Sequence, residues 1–533
     1  MEAPKDEKTR SHFQKRLVLI VFGVCWGSVS FGFASAIIAT TLGQPSFRTY
    51  MNLTTTNPNT AKITGAMNSL FYAGGFFGSV FNAWYADRFG RKTSIMTACV
   101  IMVIAAALCA GSVHVAMFIV FRFCTGWSCL MLLISVPLWI MEVVPPGGRG
   151  VFGNIHGLMA VFGYLVASYV GVGFFYYQHG SGNQWRAPLA FVCLPPLITL
   201  AFMPWVPESP RWLLVKGQPE RAWKIVEDLH RSADDPEGDY AKEEFQQMQR
   251  QIELDSRLDS SWKILVTRPS YRKRAYIACS LLTFIYSSGT LTVSNYGPTL
   301  FAELGYKPAQ TLQFQAGIIL CSISALCISL FVVDRIPRNI ILSVGMIAVA
   351  VPLAGEAAMT SLYVGTTNKS GLAAGVAFLY IYIFLYGIFL DGPGYFYVSA
   401  SEIFPTHLRS KGATLCVASY SLINIMWTQV SPIAFRTIHW KFYMVFICCC
   451  VVSSIIMYLY FPDTLGKPLE EIARIFGDDD LVAHYERAGI AGGSVADGSE
   501  HEKEKQVTTV EDSEYSLKKH LTPEGLRHIS PLV

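Results

Sequence analysis

Apolar residues along this chain fall in blocks of about 20, the length at which a helix crosses a hydrocarbon core about 30 Å thick. The blocks lie near 17–38, 63–84, 93–112, 114–140, 151–175, 187–205, 274–301, 314–333, 340–360, 372–398, 413–435 and 442–461, so twelve spans are expected. Open strands cannot satisfy their backbone groups in lipid, and the spans are therefore read as helices. Between the sixth and seventh blocks the pattern changes. "RAWKIVEDLH" and "EEFQQMQRQIELDSRL" have helical periodicity and few breakers, which predicts short helices outside the membrane. The expected fold is an all-α membrane protein of twelve transmembrane helices in two pseudo-symmetric six-helix halves. Its expected parts are a cytosolic tail (1–16), a first half (17–206), an intracellular helical linker (207–272), a second half (273–462) and a cytosolic tail (463–533). Beyond 478 that last tail is polar and short of apolar residues, so it is read as mostly disordered.

Composition agrees. The 533 residues are 52% hydrophobic and 15% charged, whereas a soluble chain carries about 25% charged residues. The net charge of +4 is small and no basic stripe is interleaved with aromatics, which argues against a nucleic-acid partner. The polar first 15 residues precede an apolar block with no small-residue cleavage site, so that block is expected to stay in the membrane. Arg88, Arg91 and Lys92, then Arg335 and Arg338, then Arg409 and Lys411 fall in short loops on one side, which should be the cytosol. Both termini then face the cytosol, and a plasma-membrane location is expected. The sequons at Asn52 and Asn368 fall on the opposite side, where glycosylation would occur. Thirteen cysteines sit mostly in apolar blocks without a paired CxxC, which suits packing rather than metal or disulfides. No nucleophile–base set, phosphate loop or metal-ligand spacing is present, so no enzyme, ATP-driven pump, metal or cofactor is expected.

The chain repeats itself. Asp87-Arg88 recurs 247 residues later as Asp334-Arg335, Glu142 with Arg149 recurs 260 later as Glu402 with Arg409, and Pro207-Glu208 recurs 255 later as Pro462-Asp463. Duplicated halves with a site at their interface are a plan of secondary transporters. "GSVFNAWYADRFGRK", "PESPRWLL" (207–214), "SEIFPTHLRSKG" (401–412) and "FPDTLGKPLEEI" (461–472) resemble the loops and signatures of the sugar porter branch of the major facilitator superfamily, over residues 17 to 475. The style of the chain resembles fungal members.

The resemblance implies alternating access, with Asp87, Arg88, Arg91, Glu142, Arg149, Glu208, Arg211, Asp334, Arg335, Glu402 and Arg409 as gating charges. It fits the substrate contacts less well. The seventh-span Gln-Gln pair and Asn of the branch align with Ile285, Tyr286 and Leu291, and the fifth-span Gln with Gly157, next to His156. In the eleventh span Tyr420 replaces one Asn while Asn424 is kept, and the tenth-span tryptophan region reads Tyr395, Phe396, Tyr397. Candidate substrate contacts are therefore Asp391, Asn424, Thr290, Tyr286, His156, Tyr397 and Gln429, with Ser287, Thr292 and Asn295 as further replacements. His156 is either cavity-lining or packed against a backbone carbonyl. Such a pocket suits a sugar or polyol, or a less polar solute such as a secondary metabolite or cyclic organic acid. A non-transporting nutrient sensor is a third reading. The partners expected are the small solute, the bilayer and protons, with the chain as a monomer.

The first-span acid of proton-coupled relatives is missing here, since that stretch reads Gly32-Phe33-Ala34, while its arginine partner is kept as Arg122. This favours uniport. Asp391 weighs the other way. It lies eleven residues before Glu402, about 16 Å along a helix at about 1.5 Å per residue, which is near the midplane. A charge there costs about 2.5–3.5 kcal/mol even on lenient scales and usually faces a cavity. Gly392-Pro393-Gly394 should loosen the helix beside it. Asp391 is therefore read as a relocated proton carrier or a substrate ligand, or else as a structural aspartate ordering a broken helix.

Overall fold

The computed structural model describes residues 15–54, 57–145, 149–177, 183–230, 238–256, 258, 261–332, 335–366, 368–392, 403–463, 467 and 469–478. All regular structure among them is helical. The first group of long helices comprises α1 (Lys15–Gly43), α2 (Thr60–Phe89), α3 (Arg91–Ala110), α4 (Val115–Val143), α5 (Arg149–Tyr176) and α6 (Arg186–Trp205). Three shorter helices follow, α7 (Pro210–Val215), α8 (Pro219–His230) and α9 (Asp239–Ser256). The second group comprises α10 (Pro269–Tyr286), α11 (Thr290–Glu303), α12 (Pro308–Val332), α13 (Arg338–Tyr363), α14 (Lys369–Tyr386), α15 (Arg409–Ile438) and α16 (Phe442–Tyr460).

Ten helical stretches among the described residues are long and apolar enough to cross a membrane. The difference from the twelve expected blocks has a local cause at two places. α2 is 30 residues long, but Asn68, Ser69, Ser79, Asn82 and several glycines line its buried face, which makes it less apolar than its neighbours. α15, a turn at His439–Lys441 and α16 run together in one 51-residue stretch, Ser410–Tyr460.

Small residues let the helices approach. A Cβ on Gly74 of α2 or on Gly126 of α4 would strike the other helix's backbone at Phe123 or Phe71, so the α2–α4 crossing admits nothing larger. Across the groups, α2 packs on α15, α5 on α12, and α1 on α11.

Short helices form in the expected linker region where their periodicity predicts. Val226, Ala241 and Met248 make a small core with Leu214, Trp223 and Phe245 packed against it. His230 fastens this linker to the end of α4. Its Nε2 lies 2.8 Å from the Val143 carbonyl oxygen and its Nδ1 2.6 Å from Glu244 Oε2. A separate compact unit begins at Pro468 and contains α17 (Leu469–Ile475). The tail expected to be disordered lies outside the described residues.

Candidate functional site

The site begins with a break. α10 ends at Tyr286 and α11 starts at Thr290, and Gly289 between them has φ 96°. Left-handed backbone of this kind favours glycine. A Cβ there would also meet the Phe446 ring. The break frees polar groups, and neighbouring helices take them up. Tyr382 Oη donates to the Ser288 carbonyl at 3.1 Å, and Trp427 Nε1 donates to Ser287 Oγ at 3.1 Å. Thr292 and Ser431 hydroxyls lie 2.8 Å apart, and Tyr296 Oη donates to the Thr428 carbonyl at 2.7 Å.

Tyr420, Asn424, Thr428 and Ser431 lie three or four residues apart and so share one face of α15. Aromatic rings meet over it. The Tyr286 and Tyr420 centroids are 4.6 Å apart at 72°, and Tyr420 meets Tyr72 of α2 at 5.8 Å and 80°. Edge-to-face pairs at such distances are favourable beyond their buried area. Tyr72 reaches Asn295 of α11, and Tyr164 of α5 lies within electrostatic range of both Tyr72 and Tyr286. Tyrosines from α2, α5, α10 and α15 thus converge where the two helix groups meet.

Asn424 is the anomaly in this cluster. It is wholly buried, yet neither its Oδ1 nor its Nδ2 has a hydrogen-bond partner among the described residues. Asn295, also buried, turns its amide toward the Tyr72 hydroxyl. Each buried unmade hydrogen bond costs about 1–3 kcal/mol, so an unpartnered amide of this kind beside aromatic rings suits a solute that carries hydroxyls or carbonyls.

Asp391 is half-buried at the end of a single π turn, Gly387–Asp391. The helix widens one turn earlier than the Gly-Pro-Gly run suggested. Ser329 Oγ donates to the Ile388 carbonyl at 3.0 Å, and Gly387 lets α12 come in against Ala325. A side chain inserted into the ladder is a known cause of such widening. Asp391 lies within electrostatic range of Tyr286 and Tyr386, and Thr290 sits beside Tyr386, so the turn borders the tyrosine cluster. No Lys, Arg or His stands beside Asp391 among the described residues.

Other candidates fall elsewhere. Arg122 is buried in the first group, where Nη1 donates to the Ala34 carbonyl at 2.8 Å and the guanidinium lies 4.2 Å from the Phe71 ring centroid. The position left by the missing acid is thus filled by a backbone carbonyl, and Arg122 has no carboxylate partner among the described residues. His156 is buried, with Nδ1 2.6 Å from Ser28 Oγ. Beside it a Cβ on Gly157 would meet nothing within 4 Å, so α5 leaves open space where the resemblance places a glutamine. Gln429 Oε1 accepts from Ser69 Oγ at 2.8 Å, which makes it part of a clasp between α15 and α2. Arg436 Nη1 to the Pro58 carbonyl at 3.0 Å and Gln313 Nε2 to Tyr176 Oη at 2.9 Å also join the groups on this side, opposite the linker. Tyr397 lies outside the described residues. Tyr72, Tyr164 and Asn295 complete the cluster. The first two were hidden within apolar blocks, where an aromatic residue reads as ordinary packing.

On the linker side, Arg91 is bound to Glu142 Oε2 at 3.0 Å and Asp87 Oδ1 at 3.1 Å. Glu208 Oε1 accepts the backbone N–H groups of Arg91, Lys92 and Ser209 at 2.9, 3.1 and 2.9 Å, and so caps α3. Burial pushes the Glu208 carboxyl above its ordinary value, against the pull of these N–H groups. Asp463 Oδ1 accepts the Arg338 N–H at 3.0 Å and caps α13 in the same manner. Arg88 is exposed beside the Phe89 ring, Arg335 is exposed, and Arg211 Nε is buried without a partner among the described residues. Asp334, Glu402 and the side chains of Arg149 and Arg409 lie outside the described residues. Asn52 and Asn368 are both exposed. Asn368 Oδ1 caps α14 by accepting from Ser370 and Gly371 N–H.

A family model described as "Sugar (and other) transporter" matches residues 20–476. The MFS-type transporter criB of Aspergillus cristatus is 30% identical over 459 residues, 85% of this chain and 91% of that protein. A quinate permease of Neurospora africana is 26% identical over 477 residues, 85% of this chain and 87% of that protein. The xylose transporter XylE from E. coli, solved in a partially occluded inward-open conformation, has the same fold, with TM-score 0.71 at 21% identity over 85% of this chain and 100% of that one. The chain therefore belongs to the sugar (and other) transporter family of the major facilitator superfamily, and it is a membrane transporter rather than an enzyme.

Proposed function

We propose that this transporter carries a small cyclic, hydroxylated solute (a sugar, polyol or polyhydroxy acid) by alternating access, and that the solute binds where Tyr72, Tyr286, Tyr420, Asn295 and Asn424 converge. The observation that carries this reading is Asn424, fully buried with both amide atoms unpartnered. Thr290 and Asp391 border the same place. Relatives named as quinate permease and arabinose-proton symporter support a solute of this class.

In this reading twelve spans arise from the ten stretches. Ser410–Tyr460 counts twice and α2 is added. The matching carboxylate caps, Glu208 on α3 and Asp463 on α13, support a duplicated six-helix unit with 207–272 as its linker. The basic loops and the two exposed sequons support cytosolic termini, glycosylation at Asn52 and Asn368 and a plasma-membrane site. Asp391 carries the coupled proton. Arg122, tied to a carbonyl, holds α4 against α1.

The test is uptake of labelled hexoses, pentoses, polyols and quinate by cells lacking their own carriers, with and without a protonophore. Uptake of one class, abolished by the protonophore and insensitive to it in Asp391→Asn, is expected. Protonophore-insensitive uptake by the unaltered protein would leave the solute reading and remove the proton. A second reading, a less polar metabolite, is favoured by the four tyrosines. It predicts no uptake of any panel member by protein present at the cell surface.

A further inference from the structure

A second acidic group lies inside the membrane, away from the tyrosine cluster. Glu356 sits on α13 and is 1% exposed. Its Oε1 accepts from Thr360 Oγ1 at 3.1 Å, while Oε2 is buried with no hydrogen-bond partner among the described residues. Gly375 of α14 passes close by Oε2, near enough that a Cβ there would be 3.1 Å away. The π turn that carries Asp391 packs on α13 at Gly345. Glu356 is eleven residues farther along the same helix, about 16 Å, so the two acids are separate sites.

Among the described residues, the elements around Glu356 supply no cation. α16 presents Tyr443, which is buried and within electrostatic range of both Glu356 and Glu303. α14 presents Gly375. His439 and Lys441, on the turn before α16, are exposed. Glu303 ends α11 and is exposed on the side opposite the linker. An uncompensated carboxylate in hydrocarbon is costly, and such groups in spans mark proton or ion routes. Acid, hydroxyl and acid, graded from surface to interior, form a route of that kind.

We propose that Glu356 is a proton-binding site of this transporter, reached from water on the side opposite the linker through Glu303 and Tyr443. Binding forms one O–H bond at Glu356 Oε2 and consumes one proton from water. Nothing else is made or broken. The inference deepens the proton-coupled reading and rests on it for its use in transport, but the proton can be observed without any solute.

The measurement is the infrared difference spectrum of the full-length protein in liposomes across a pH step. A carboxylic C=O band that appears on acidification, is lost in Glu356→Gln and is retained in Asp391→Asn is expected. Glu303→Gln and Tyr443→Phe should slow its hydrogen–deuterium exchange. If Glu356→Gln does not fold, Glu356→Asp should shift the band instead. Spectra unchanged by substitution at 356 overturn the proposal. A band lost only in Asp391→Asn also overturns it, while leaving the central proton site standing.

Discussion

Asn424 is the residue on which the substrate reading turns. Replacing it with alanine removes two unpartnered polar atoms from a buried site, so folding should not suffer. Asn424→Ala is expected to keep or raise thermal stability while weakening solute affinity about 2- to 10-fold per lost hydrogen bond, at about 0.5–1.5 kcal/mol each. Lost stability at unchanged affinity would make it a structural amide. Gly157 offers the converse change. Its open side should accept Gly157→Gln, and uptake by that variant should shift toward more polar panel members, read as a changed ratio of pentose to quinate uptake. Asn424 and Asp391 were legible in the sequence because a polar residue inside an apolar block is conspicuous. Glu356 is equally conspicuous within "PLAGEAAM" but lies outside the stretches that carry the resemblance, and its unpartnered oxygen is what draws attention to it. Tyr72 and Tyr164 were not legible, because the chain does not reveal which face of α2 or α5 looks toward the second group. Gln429 reads as a pocket amide in sequence, yet hydrogen-bonds across the groups to Ser69.

At the level of elements, position within a helix decides function. The α10–α11 break needs Gly289 with φ 96°, and its missing Cβ makes room for the Phe446 ring. Gly289→Ala is therefore expected to cost at least about 1 kcal/mol of strain and to impair uptake by moving Thr290 and Tyr286, as measured by melting temperature and transport together. The Glu208 cap makes a pH-dependent prediction. Its carboxyl, raised above the ordinary 4.5 by burial, binds a proton more tightly folded than unfolded. Its contribution to stability is therefore largest when protonated, and it declines as pH rises from 4.5 through the raised value. Glu208→Gln keeps an oxygen for the three N–H groups and should flatten that decline in melting temperature. Glu208→Ala should lose about 1–3 kcal/mol, with the larger loss at the acidic end of that range. The linker helices were legible from their period, since an amphipathic stripe survives without knowledge of its partner. The π turn before Asp391 was not, because it depends on Ser329 reaching over from α12.

At the scale of the whole molecule, the two groups are joined opposite the linker by Ser69–Gln429, Arg436–Pro58 and Gln313–Tyr176. Alternating access requires these contacts to part. Cysteines at 69 and 429, joined through two disulfides by a short bis-thiosulfonate reagent after removal of the exposed Cys327 and Cys448, should block uptake, and reduction of those disulfides should restore it. The measurement that tests the central claim most directly is equilibrium binding of the transported panel member to the purified protein and to Asn424→Ala, by calorimetry. The account predicts saturable binding by the first and binding weakened at least about 2-fold by the second. Equal affinity in both proteins would place the solute somewhere other than the tyrosine-lined crossing of the two groups.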